Sequence, residues 1–216
     1  DYAEAHNNLG NALKDLGQLD AAIKSFEKAL AIKSGYADAH NNLGNALNNL
    51  GQLDAAIKSF EKALTIKPDF AEAHNNLGST LNELDQLDAA VKSYEQALAI
   101  KPNFAEAHNN LGNTLRDLNQ LDASIKSFEK ALAIKPDYAE AHNNLGNALE
   151  ELGRLEKAEA SYKQAIAFKP DFAEALDNLS VLLRDVGRLE EAEASCRQAI
   201  TLKPAYAEAH NNLGNS

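Results

Sequence analysis

Residues 69–102 read DFAEAHNNLGSTLNELDQLDAAVKSYEQALAIKP. Ala73, Leu77, Thr80, Leu81 and Leu84 recur at i, i+4, i+7, i+8 and i+11, which is one face of an α-helix. Leu87, Ala90, Val91, Tyr94, Ala97 and Leu98 draw the same stripe on a second helix. Between the two stripes stands Asp85, a residue type that tolerates the left-handed conformation past a helix end. Pro102 bars continuation of the second helix. Asp69 followed three residues later by Glu72 is a capping-box arrangement, so the spacing predicts an N-cap at Asp69.

Working outward, the whole pattern returns on a 34-residue period. AEAHNNLG begins at Ala3, Ala71, Ala105, Ala139 and Ala207, with ADAHNNLG at Ala37. Six full units follow, 1–34, 35–68, 69–102, 103–136, 137–170 and 171–204, and a partial one at 205–216. The turn position holds Gly17, Gly51, Asp85, Asn119, Gly153 and Gly187. Lys-Pro closes every full unit but the first, which has Ser34. Asn103 with Glu106, Asp137 with Glu140 and Asp171 with Glu174 repeat the capping signal. One such hairpin cannot bury its apolar stripe, whereas stacked hairpins can. The expected fold is therefore all-α, a solenoid of antiparallel helix pairs forming a single domain over residues 1–216.

The totals narrow the functional classes. A net charge of -11 argues against nucleic acid, since phosphate binding needs clustered Lys and Arg. No apolar run approaches the roughly 18 residues of a membrane span, and no signal peptide is visible. The chain opens at Asp1 without Met, which reads as an excised piece. The single cysteine, Cys196, can form no internal disulfide and fits a reducing, cytoplasmic compartment.

Leu77, Gly78, Leu81, Ala90, Tyr94, Ala97 and Pro102, with their equivalents in the other units, resemble the pattern of tetratricopeptide repeats over the whole chain. That resemblance implies a right-handed superhelix, with first helices lining a concave groove and second helices the convex back. His6, His40, His74, His108 and His142 depart from the family, which often has an aromatic there. The groove lacks the Lys and Arg with which chaperone-binding members hold a C-terminal carboxylate, and Glu4 and Asn7 stand in such places.

The faces can be assigned from the residues alone. Opposite Leu9, Leu13 and Leu16, the first helix carries Glu4, Asn7, Asn8, Asn11 and Asp15, a polar face expected to meet solvent or ligand. Three Asn columns run along it. One is Asn7, Asn41, Asn75, Asn109 and Asn143; another is Asn11, Asn45, Asn113 and Asn147. The fullest is Asn8, Asn42, Asn76, Asn110, Asn144, Asn178 and Asn212, present in every unit. Asn is a mediocre helix former, but its amide both donates and accepts, as a peptide backbone does. The columns are therefore candidate clamps for an extended peptide. Simple copying is the other account, since units one and two differ at only six positions. Against copying, Asn178 persists in a unit where Leu176, Asp177, Ser180 and Val181 have all replaced the repeated residues. An Asn ladder of this kind resembles the repeat region of O-linked N-acetylglucosamine transferases, which holds substrate polypeptides. That implies a recruiting part of a larger protein, here without the transferase domain. Glu72, Glu83, Asp117, Glu140, Glu150, Glu151, Asp177 and Asp185 outnumber Lys14, Arg116 and Arg184 on this face, which favours a neutral to basic peptide. The Glu row also suits helix N-termini without any ligand.

Other columns promise less. Equivalent His residues should lie roughly 10 Å apart, one helix spacing, too far to share a zinc ion, and none has a ligand partner at i+4. No metal or cofactor is expected. Asn178-Leu179-Ser180 is a glycosylation sequon placed mid-helix, and Cys196 sits at an aromatic core position. There is no P-loop, nucleophile elbow, HExxH or Cys–His pairing, so no enzyme is expected. The leading reading is a peptide-binding scaffold. The alternative is a self-assembly module that stacks head to tail through uncapped terminal repeats.

Overall fold

The computed structural model describes residues 2–203; the seventh unit and Asn212 lie outside the described residues. Those residues form twelve α-helices and no strand. First helices are α1 (Tyr2–Asp15), α3 (Ala37–Asn49), α5 (Ala71–Glu83), α7 (Ala105–Asp117), α9 (Ala139–Glu151) and α11 (Ala173–Asp185). Second helices are α2 (Leu19–Ile32), α4 (Leu53–Ile66), α6 (Leu87–Ile100), α8 (Leu121–Ile134), α10 (Leu155–Phe168) and α12 (Leu189–Leu202). The described residues pack as two compact units that divide between Ala107 and His108.

The turn between paired helices follows the expected chemistry. Gly17, Gly51, Gly153 and Gly187 have φ between +73° and +80°, while Asp85 and Asn119 adopt +58° and +57°. Each closes the preceding helix with the same two bonds. In the first repeat the Gly17 amide donates to the Lys14 carbonyl at 2.9 Å and the Gln18 amide to Leu13 at 2.9 Å, the double closure that a left-handed residue permits.

The capping box, by contrast, does not form. Helices α5, α7, α9 and α11 start two residues after Asp69, Asn103, Asp137 and Asp171. The N-caps of α5, α9 and α11 are Phe70, Tyr138 and Phe172, with no side-chain cap bond. The Phe70 ring is 8% exposed and its carbonyl takes the first helical bond, from the His74 amide at 3.1 Å. Burying such a ring stabilises by about 1.5–3 kcal/mol, against about 1 kcal/mol for a cap, so the ring decides where the helix begins. Lys67 lies over that ring, 4.5 Å from its centroid. The Glu at the intended N3 turns outward instead: Glu72 accepts from Lys101 Nζ and Glu140 from Lys169 Nζ, both at 2.8 Å.

Inside five of the six pairs, one aromatic from the second helix fills the core, and in the sixth Cys196 takes its place. Phe26, Phe60, Tyr94, Phe128 and Tyr162 are all buried, flanked by Ala such as Ala22 and Ala29. Within the first unit α1 meets α3 and α3 meets α5, and within the second α9 meets α11. Among the described residues of either unit no two second helices approach so closely. In each unit the first helices thus form the tighter, inner side of the stack. On α1, which has no earlier helix against it among the described residues, Leu9 is 49% exposed, while the equivalent strip of α3 includes the fully buried Ala39 and Ala46.

Candidate functional site

The three Asn columns occupy different depths. Asn7, Asn41, Asn75, Asn109 and Asn143 are buried. The expectation that they face solvent is thereby corrected: their side chains point into the junction between repeats. Four second-column Asn donate back across that junction. Asn42 Nδ2 bonds Asn7 Oδ1 at 3.0 Å, Asn76 bonds Asn41 at 3.0 Å, Asn144 bonds Asn109 at 3.1 Å and Asn178 bonds Asn143 at 3.0 Å. A buried amide oxygen without a donor costs about 1–3 kcal/mol, which explains why both columns recur together.

The second column remains half-buried, apart from the exposed Asn8. Asn42, Asn76 and Asn144 each keep a second amide hydrogen and Oδ1 beyond the junction bond. The junction bond also fixes the amide plane, so those groups are held in position. Asn178 uses both hydrogens, on Asn143 and, at 3.1 Å, on Asn147 Oδ1, leaving an acceptor. In the third column Asn11, Asn45, Asn113 and Asn147 are half-buried.

In the second unit these residues border a polar cavity of about 390 Å³, lined by Arg116, Asn147, Glu150, Glu151 and Asn178. The Tyr162 hydroxyl lies 2.7 Å from Glu150 Oε2 and 2.8 Å from Asn147 Oδ1, and its one hydrogen is shared between these two acceptors. Burial, reinforced by the Glu150 carboxylate, pushes the phenol well above its ordinary range, so it stays a donor. Arg116 lies 3.7 Å from both Glu151 and Asp117. Sequence reading missed the Tyr162–Glu150 link. Its only signal was the replacement of Phe by Tyr at that core position.

The His column is structural. His40, His74 and His142 Nε2 bond the carbonyls of Ser34, Pro68 and Pro136 at 3.0, 3.0 and 2.9 Å, tying down the turn between repeats. His142 also stacks on Phe168, centroids 5.5 Å apart. Cys196 is buried, as are Leu179 and Ser180 of the sequon. Among the described residues no cluster of three His, Cys, Asp or Glu could hold a metal ion, and no helix is long and apolar enough to cross a membrane.

A helical-hairpin array with a patterned inner face defines the class: a repeat protein built to present surface. Family models described as TPR repeat match residues 10–51, 78–115, 112–153 and 182–216, and models described as tetratricopeptide repeat match 37–70, 59–92 and 139–172. The chain belongs to the tetratricopeptide repeat family, whose members act as protein–protein interaction scaffolds. Among solved structures it is similar to PilW, a type IV pilus biogenesis factor, at 23% identity over 98% of each chain with a TM-score of 0.90. It is similar to a thermophilic TPR protein of Thermus thermophilus at 28% identity, over 83% of this chain and 98% of that one, TM-score 0.67. YrrB, described as a TPR protein with an unusual peptide-binding site, is 23% identical over 86% of this chain and 96% of that one, TM-score 0.67. No curated protein matches the chain.

Proposed function

We propose that this chain is a non-catalytic recruiting scaffold that holds an extended, neutral to basic polypeptide along the inner face of its first helices. One observation carries the reading: Asn42, Asn76 and Asn144 are half-exposed, oriented by a bond to the neighbouring repeat, and keep both a donor and an acceptor. A peptide backbone offers the complementary pair. The surplus of carboxylates around Arg116 favours basic over acidic partners. The description of YrrB as peptide-binding lends support by likeness of fold.

The test is a titration of fluorescently labelled, unstructured peptides of varied charge, run beside an Asn42→Ala/Asn76→Ala variant whose helicity and melting are measured first. Binding that weakens in a folded variant supports the clamp. Equal binding by the variant removes it.

A further inference from the structure

Successive repeats are joined on their outer side by one recurring position of the second helix. Ile23 of α2 joins the apolar clusters that contain Ala46 and Leu47 of the next first helix, α3. Ile125 of α8 is buried in the cluster that contains Ala148 and Leu149 of α9. Ile57 and Val91 hold the same position in the second and third repeats, but in the fifth it is Glu159. Of the junctions among the described residues, only the one between the fifth and sixth repeats has a carboxylate there.

A second exchange accompanies the first. The turn position that carries Gln18, Gln52, Gln86 and Gln120 carries Arg154 and Arg188 in the last two full repeats. Arg188 Nη1 reaches back across the junction to both oxygens of Glu159, at 2.9 and 2.8 Å. Its Nε and Nη2 bond Glu191 on α12 at 2.7 and 2.6 Å, which fixes the guanidinium on the sixth repeat. The Glu159 side chain is only 18% exposed. Lys163 also bonds it, at 2.7 Å, but from the same helix, so it links no repeats. The Arg154–Asp122 pair is longer, 3.4 Å, between side chains 47% and 75% exposed, and it stands beside an intact Ile125.

We propose that the Glu159–Arg188 pair is a salt-sensitive latch that sets how firmly the sixth repeat sits on the fifth. Dissolved ions screen a partly exposed ion pair, whereas burial of an aliphatic side chain is not screened. The stability of a repeat array is a sum over repeats and their neighbour interfaces, so weakening this one interface loosens one end. Leu179, Leu182 and Leu183 keep their apolar contact with the fifth repeat, so release loosens the sixth repeat without detaching it. The effect reaches the inner face. Asn178, which bonds Asn143 and Asn147 across the same junction, is the sixth repeat's contribution to the polar cavity, and the other four lining residues come from the fourth and fifth repeats. The latch belongs to the fold and operates whether or not a peptide occupies that cavity.

The test is amide hydrogen exchange on the full chain, read by mass spectrometry at about 0.05 M and about 1 M sodium chloride, which brings the Debye length down to about 3 Å. Exchange in α11 and α12 should quicken about threefold relative to α1–α4, the scale expected of a partly exposed ion pair. Arg188→Gln, which restores the residue of the first four repeats, should show the quicker exchange already at low salt. Glu159→Ile, which restores the residue of the first, second and fourth repeats, should slow exchange in α11 and α12 and abolish their salt response. An equal salt response in α1–α4, unaltered exchange in Arg188→Gln, or a salt response that survives in Glu159→Ile would each overturn the latch.

Discussion

Gly146 lies so close to Tyr162 that a Cβ added to it would stand 2.4 Å from the ring's Cε1. The same approach recurs at Gly10 with Phe26 (2.4 Å), Gly44 with Phe60 (2.5 Å) and Gly112 with Phe128 (2.6 Å). The first helix therefore packs its backbone directly on the aromatic of the second. Only the sixth repeat lacks the glycine, and there Ser180 faces a chain whose core residue is Cys196 instead of a ring. Gly44→Ala should lower stability by about 1–3 kcal/mol, the usual range for overpacking a core, read as a drop in the urea midpoint. Gly146→Ser/Tyr162→Cys, which copies the sixth repeat, should recover part of what Gly146→Ser alone loses. Equal stability of the single and double variants would show that the two positions do not share one space.

Asn143 is 1% exposed, accepts from Asn178 and donates to Glu174 Oε1 at 3.2 Å. Asn143→Ala should cost about 1–3 kcal/mol because it leaves Asn178 without its junction acceptor and empties a buried site. Asn8→Ala, on an exposed residue of the same repeated motif, should shift the melting curve little. If the two variants melt alike, the junction ladder contributes nothing to folding.

The helices, their pairing and all six left-handed turns were legible because they rest on local rules: apolar spacing, and φ tolerance at Gly17, Asp85 and Asn119. The capping box misled because Asp69 and Glu72 satisfy a local pattern that burial of Phe70 overrides. Periodicity brought the Asn columns to one helix face but could not separate buried Asn41 from half-exposed Asn42. One residue of helical turn divides them, and only the next repeat's position decides which one it covers.

Asn119 holds φ +57° at a turn where four other repeats use Gly. A side chain in that region is strained, less so for Asn than for most residues. Asn119→Gly should therefore raise stability, by no more than about 1 kcal/mol, since Gly also gains entropy in the unfolded chain. Asp85→Gly, at φ +58°, should behave alike. A lower midpoint in both would mean that the unfolded-state entropy outweighs the relief.

Burial holds the His40 imidazole below its ordinary value of 6.5; the Ser34 carbonyl opposes this, and Lys62 on α4 reinforces it. The unfolded chain then takes up the proton at a higher pH than the folded one does. The stability linked to His40 is present above about pH 6.5 and is lost as pH falls through the lower folded value. His40→Gln, whose amide can still donate to Ser34, should flatten the slope of stability against pH in the mildly acidic range. Ring shifts followed by NMR should place the His40 midpoint below 6.5. A midpoint above it would reverse the sign and contradict the buried, neutral imidazole.

Tyr162 joins the core to the inner face, since its ring is 1% exposed while its hydroxyl bonds Glu150 and Asn147 at the polar cavity. Phe fills the same place in three repeats as Phe26, Phe60 and Phe128, so Tyr162→Phe removes the hydroxyl without disturbing the ring. Glu150 is half-buried and can regain water, which limits the loss to about 0.5–1.5 kcal/mol. The larger effect should fall on recognition. Without the phenol, the Glu150 carboxylate and the Asn147 amide are no longer held in one orientation, and a basic peptide should bind more weakly while the protein stays folded. A double-mutant cycle with Glu150→Gln checks this: coupling between the two positions should be seen in peptide affinity as well as in stability. Coupling confined to stability would make Tyr162 a core residue that happens to reach the surface.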